Sequence, residues 1–142
     1  MRLTDHYVAG LFDGEGWFNV NRGRRKDVRR TYAFQVHACL VMKEEAVIRA
    51  LRSRFGGTVQ HMRSRSVLHA PYFRWTATGE GAAAFVHIIG RHLLVKRRQA
   101  QLLTRFQNTK RRNKNRPLTD AQYARLESMW LEMKRLNKKG PK

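Results

Sequence analysis

The chain has 142 residues, the length of one typical domain. Thirty Lys plus Arg stand against ten Asp plus Glu, a net charge of +20, while an apolar share of 42% with three Trp, four Tyr and seven Phe excludes a disordered basic tail. The single Cys39 excludes an internal disulfide or a Cys-rich zinc module, and no apolar run reaches the roughly 18 residues of a membrane span or forms a secretory leader. The expectation is one domain over residues 1–142 in a reduced, intracellular setting, with a core at about 4–106. Its partner is a polyanion, nucleic acid ahead of a membrane surface.

Thr4 can cap a helix running to residue 13, with Val8, Leu11 and Phe12 as its apolar stripe. A second stripe, His6, Ala9, Gly10 and Asp13, is mostly small, which lets two helix backbones approach closely. Gly14 and Gly16 end the helix. Residues 17–24 alternate as a strand, Phe18 and Val20 against Trp17, Asn19 and Asn21. A basic connection over 22–30 leads to the clearest strand, 31–40, with Tyr32, Phe34, Val36, Ala38 and Leu40 on one face. Its other face carries Thr31, Ala33, Gln35, His37 and Cys39. A helix over 43–55 ends at Gly56-Gly57, and a second hairpin follows at 58–63 and 72–78, where Phe73, Trp75 and Ala77 face inward. Two helices, 81–91 and 96 to about 112, come next, the latter running into a polar, basic connection over 107–117. Thr119-Asp120-Ala121-Gln122 forms a capping box for a last helix to about 137, with Leu126, Trp130, Met133 and Leu136 as its apolar stripe. Two hairpins, each with one polar face, make a four-stranded antiparallel sheet backed by helices, an α+β arrangement.

The acids carry information because they are scarce. Asp5, Glu44, Glu45, Glu80 and Asp120 sit near helix starts, where the dipole favours them. Asp13 and Glu15 stand at the far end of the first helix, where the dipole repels them, and a bound cation would compensate. An ordinary helix end with two solvated acids is the bland alternative. Calcium in an EF-hand loop is excluded, since Trp17 and Phe18 occupy the fifth and sixth positions where the turn needs Gly at the sixth. One or two carboxylates, backbone carbonyls and water suit Mg²⁺, with Mn²⁺ as a substitute. His6, His61, His69, His87 and His92 show no ligand spacing for zinc.

The run Val8-Ala9-Gly10-Leu11-Phe12-Asp13-Gly14-Glu15-Gly16 resembles the motif that names the LAGLIDADG homing endonucleases; Ala9, Gly10, Leu11, Asp13 and Gly16 agree with it, and Glu15 replaces the second Asp. The resemblance extends through Phe55-Gly56-Gly57, Leu94-Val95-Lys96-Arg97-Arg98-Gln99-Ala100 and the αββαββα order, over about residues 5–106. It implies a single-motif chain acting as a homodimer, with His6, Ala9, Gly10 and Asp13 at the interface between the paired motif helices. By the same resemblance Glu15 is the metal ligand with the Gly14 carbonyl beside it, and two Glu15 side chains meet near the two-fold axis. Asp13 braces the helix pair rather than performing chemistry, and Lys96 is the catalytic basic residue near the metal-bound water. The family often places a Gln at the end of the strand before the second helix; Cys39-Leu40-Val41-Met42-Lys43 has none, and Lys43 or His37 is the nearest replacement.

A two-stranded ribbon fits the major groove of DNA, where Asn, Gln and Arg pair with base edges. Asn19, Asn21, Gln35 and His37 project from the first hairpin, with Arg24, Arg25, Arg29 and Arg30 around its tip. The second hairpin offers Gln60, Met62, Arg65, Tyr72, Arg74 and Thr76, and Arg97 and Arg98 can bind phosphate beside Lys96. The expected activity is magnesium-dependent hydrolysis of phosphodiester bonds in double-stranded DNA at a long, roughly palindromic site. The alternative is a non-cleaving DNA- or RNA-binding protein, a regulator or an intron maturase, on the same scaffold.

Overall fold

Thr4 opens the first helix as expected: its hydroxyl accepts the Tyr7 N–H at 3.1 Å, and α1 runs Asp5–Gly14. The computed structural model describes residues 1–24, 32–63, 71–112 and 118–138. Through these the order is β1 (Gly16–Arg24), β2 (Tyr32–Met42), α2 (Glu45–Phe55), β3 (Thr58–Met62), β4 (Tyr72–Thr78), α3 (Gly79–Ile89), a 3-10 turn (Gly90–His92), α4 (Arg97–Arg112) and α5 (Asp120–Asn137). The expected hairpin-tip residues Arg25, Arg29, Arg30 and Arg65, and the side chain of Arg24, lie outside the described residues.

All pairings are antiparallel and the strands lie in the order β1-β2-β4-β3, so the second hairpin's returning strand, not its first, joins the two hairpins. Strand parity then sorts the faces. Phe18, Val20, Phe34, Val36, Ala38, Leu40, Phe73, Trp75 and Ala77 turn to one side and are buried. Helix residues Phe12, Ile48, Leu51, Phe85, Ile89, Leu103 and Phe106 close over them in one core. Trp75, wholly buried, stands edge-on to Phe12 and Phe85 and donates its indole N–H to the Gly56 carbonyl at 2.8 Å, so its apolar bulk is buried without orphaning its donor. Gly57 beside it has φ +86°, and a Cβ there would lie 2.6 Å from the Thr76 carbonyl oxygen, so the turn into β3 requires glycine on both counts.

Helix α4 ends at Arg112, where it was expected to, so residues 107–112, which the basic connection was also expected to cover, belong to the helix: Gln107 is buried and donates to Glu80 at 3.0 Å, and Lys110 reaches the Phe34 carbonyl at 2.5 Å. Tertiary partners hold this last turn and a half although its composition is that of a loop. Trp130 is half-buried rather than core, because Arg22 and Lys134 cover its ring at 4.0 and 4.7 Å from the centroid. The capping box at Thr119 and Gln122 forms as expected.

Candidate metal and nucleic-acid site

The two carboxylates at the end of α1 have different fates. Asp13 Oδ2 accepts the Leu94 N–H at 2.8 Å, and Oδ1 accepts those of Val95 and Lys96 at 3.0 Å each. These amides precede α4, whose first N–H groups have no partner within the helix, so Asp13 serves as a cap delivered from eighty residues upstream. Lys96 returns the contact: its ammonium donates to the Phe12 carbonyl at 3.0 Å and to the Gly16 carbonyl. Burial pushes the Lys96 amine below its ordinary value, while the charges of Asp13 and Glu15 pull it back up. The expectation that a cation balances Asp13 is therefore corrected, because backbone amides and Lys96 already do so. Gly16 completes the turn: a Cβ on it would lie 2.3 Å from the Phe12 ring.

Glu15 is exposed and stands directly after the helix, its N–H bonded back to the Leu11 carbonyl at 2.8 Å. Among the described residues no hydrogen bond or ion pair engages its carboxylate. Beside it lies the carbonyl of Gly14, the last residue of α1, for which the helix itself supplies no donor. These are hard oxygen donors, suited to a divalent cation that retains water and takes substrate phosphates as further ligands. No group of three or more His, Cys, Asp or Glu that could hold a metal occurs among the described residues.

On α1, Tyr7, Gly10 and Gly14 form the exposed stripe, and a Cβ on either glycine would meet nothing within 4 Å. His6 is also exposed and packs its ring 4.0 Å from that of His92, while Asp13 is half-buried. Ala9 departs from the expected interface set: it is 0% exposed, packed into the core with Val8 and Phe12, because its position falls about 100° round the helix from Gly10. Leu94 and Val95, in the loop that Asp13 holds, are 83% and 72% exposed.

The outer face of the sheet brings together most of the expected reading residues. Register sets Asn19 opposite His37, Asn21 opposite Gln35, Gln60 opposite Arg74 and Met62 opposite Tyr72, all on the face away from the core, with Thr76 beside them. Their centre is a concavity of about 330 Å³ into which Asn19, Asn21, His37 and Arg74 project. Arg74 Nε is buried there with no hydrogen-bond partner among the described residues. The same concavity takes in Trp17, Cys39 and Thr58, which the sequence reading did not single out; the period-2 parity that selected Asn19 and Gln60 was their signal. Cys39 is buried beneath the face, with its thiol directed at the Thr76 hydroxyl at 3.8 Å, and burial pushes that thiol up.

Arg97 and Arg98 lie elsewhere. Arg97 folds back onto the Leu93 and Arg91 carbonyls at 3.1 and 3.4 Å, in a groove beside α3, and Arg98 lines the groove between α4 and α5 with Arg105 and Arg135. Of the basic cluster only Lys96 touches the motif turn. Lys43 is exposed ahead of α2, and His37 is held within the sheet-face network.

Comparison with solved structures finds this fold repeatedly. The homing endonuclease I-CvuI, in complex with the I-CreI target, aligns over 97% of this chain and 84% of its own at TM-score 0.78 and 17% identity. The archaeal intron-encoded homing endonuclease I-Vdi141I, complexed with DNA, aligns over 97% and 86% at 0.78 and 18%. The homing endonuclease I-TnaI aligns over 96% and 95% at 0.75 and 21%. No curated protein matches the sequence. A family model described as LAGLIDADG endonuclease matches residues 8–107, which include the α1 motif, all four strands and the Asp13–Lys96 clamp, and the chain belongs to that family.

Proposed function

We propose that this protein is a homodimeric endonuclease that hydrolyses both strands of a long, roughly palindromic DNA site with a divalent metal, Mg²⁺ in the cell. The observation that carries this reading is the division of labour at the end of α1: Asp13 is fully occupied by the Leu94–Lys96 amides, while Glu15 keeps its carboxylate exposed and uncommitted. Glu15, with the Gly14 carbonyl, would hold the metal. A divalent metal there supplies water activation and charge stabilisation at the phosphate. The chain's own part is placement. Asp13 and Lys96 fix the turn that carries Glu15, and the sheet face with its cationic Arg74 binds and orients the duplex.

Support for the dimer comes from α1. Its exposed Tyr7, Gly10 and Gly14 leave open backbone where a second copy of the helix can approach, flanked by exposed Leu94 and Val95. Two cuts need two centres, and a two-fold axis beside Glu15 provides them together. The chain spans 45% of I-SmaMI, a LAGLIDADG homing endonuclease solved bound to cleaved DNA, so two copies match that protein's length.

The test starts from duplexes that the protein enriches from a randomised library in Ca²⁺. Incubated with Mg²⁺, these should be cut in both strands, and Glu15→Gln should bind them with unchanged affinity and leave them intact. Tight binding without cutting in Mg²⁺ or Mn²⁺ would reassign the protein as a non-cleaving nucleic-acid binder on the same scaffold.

A further inference from the structure

We infer that Trp130, Arg22 and Lys134 form a phosphate clamp at the β1 edge of the sheet, the indole positioning two cations against the backbone of a DNA duplex on the outer face. The inference deepens the DNA-binding reading above and rests on it. Two of the three residues come from α5, which lies beyond the matched residues 8–107.

The Trp130 ring gathers both charges. Arg22, from β1, places its guanidinium carbon 4.0 Å from the ring centroid, and Lys134, one turn further along α5, places its ammonium 4.7 Å from it. The ring is itself anchored, half-buried and packed on Phe34 with centroids 6.2 Å apart. Arg and Lys side chains lose much rotamer freedom when they engage a partner, and an arene that already collects them lowers that cost. Both cations line a cleft of about 550 Å³ that runs from Asn19 and Asn21 on β1 to Trp130 and Lys134 on α5, and no described carboxylate lines it.

Position decides which anion the cleft meets. In the order β1-β2-β4-β3, β1 is an edge strand. Strands about 4.8 Å apart put β1 and β3 about 14 Å from each other, close to the roughly 12 Å width of the major groove, so an edge strand stands against a phosphate wall. Base edges form the floor of that groove, and its walls rise about 8.5 Å above it. Asn19 and Asn21 face that floor, so the phosphates stand level with the sheet or just behind it. Side chains that turn back round the edge are the ones placed to meet them. Arg22 does so by parity, since it points away from Asn19 and Asn21, at the register position opposite buried Phe34. Lys134 approaches from α5 on that same side.

The experiment uses a duplex that the protein enriches from a randomised library in Ca²⁺, its backbone phosphates replaced one at a time by neutral methylphosphonate. The unaltered protein should lose about tenfold in affinity at one or two neighbouring phosphates of each half-site. Lys134→Met keeps the apolar stem and removes the charge; it should lower the slope of log Kd against log salt by about 1 and show no further loss at those phosphates. Arg125→Met removes an exposed charge from the opposite side of α5 and should change neither reading. Trp130→Leu should shrink the loss at the same phosphates and Trp130→Phe should restore it, whereas a purely structural Trp130 would lower affinity alike at every position. Undiminished losses in Lys134→Met, or an equal fall in slope in Arg125→Met, would overturn the clamp and leave DNA binding in place. If no duplex is enriched, the DNA-binding reading falls and the clamp with it.

Discussion

Asp13 and Glu15 are two residues apart and chemically almost alike, yet one is consumed by structure and the other is left for solvent. Replacing Asp13 by Asn keeps the shape but turns an amide NH₂ toward one of three backbone N–H groups. We expect a loss of about 1–3 kcal/mol in unfolding free energy by urea titration, with Glu15→Gln near neutral by the same measure. Cys39 gives the pH counterpart. Its thiol is raised by burial, so above the ordinary value of 9.0 the unfolded chain releases its proton first. Stability is then full below that pH and declines as pH rises through the folded value; Cys39→Ala should flatten the decline in urea midpoints measured across alkaline pH. Glu15 was legible in the sequence because a carboxylate at a helix C-terminus is out of place. The occupation of Asp13 was not, since its donors lie at Leu94–Lys96 and nothing local announces a cap arriving from another element.

Among elements, the strands were the most legible. Alternation at Phe18, Val20, Phe34, Val36 and Ala38 fixed both faces, and β4 spans the expected residues 72–78. Strand order was not legible, because two hairpins can join through either partner of the second. Ala9 was misplaced for a related reason: a helix stripe of small residues can face its own core or a foreign one, and composition does not distinguish them. Helix α5 lies beyond the residues that define the family, and it is tied down at both ends, by the Thr119–Gln122 box and by Asn137 donating to the Phe18 carbonyl at 2.8 Å. Thr119→Ala should cost about 1 kcal/mol in thermal or chemical unfolding. Between those ends Trp130, with Arg22 and Lys134 on its faces, shields the edge strand β1.

At the scale of the whole molecule, charge governs. A chain of net charge +20 that engages six to ten phosphates should lose roughly 10³–10⁵-fold in DNA affinity between about 50 and 200 mM salt. Fluorescence anisotropy across a salt series reads this directly, and a flat profile would contradict a phosphate-dominated interface. In sedimentation the protein should run at twice one chain's mass, and Gly10→Leu, at a position where an added Cβ meets nothing within 4 Å, should shift it toward the monomer without lowering its melting temperature. The mutual grip of α1's end and α4's start has one more outcome. Leu94 and Val95 hold their side chains in water while their backbone protons are pinned by a carboxylate from the opposite end of the sequence. In deuterium oxide these amides should exchange far more slowly than their exposure suggests, which makes that surface loop a built-in gauge of whether the distant acidic turn is correctly formed.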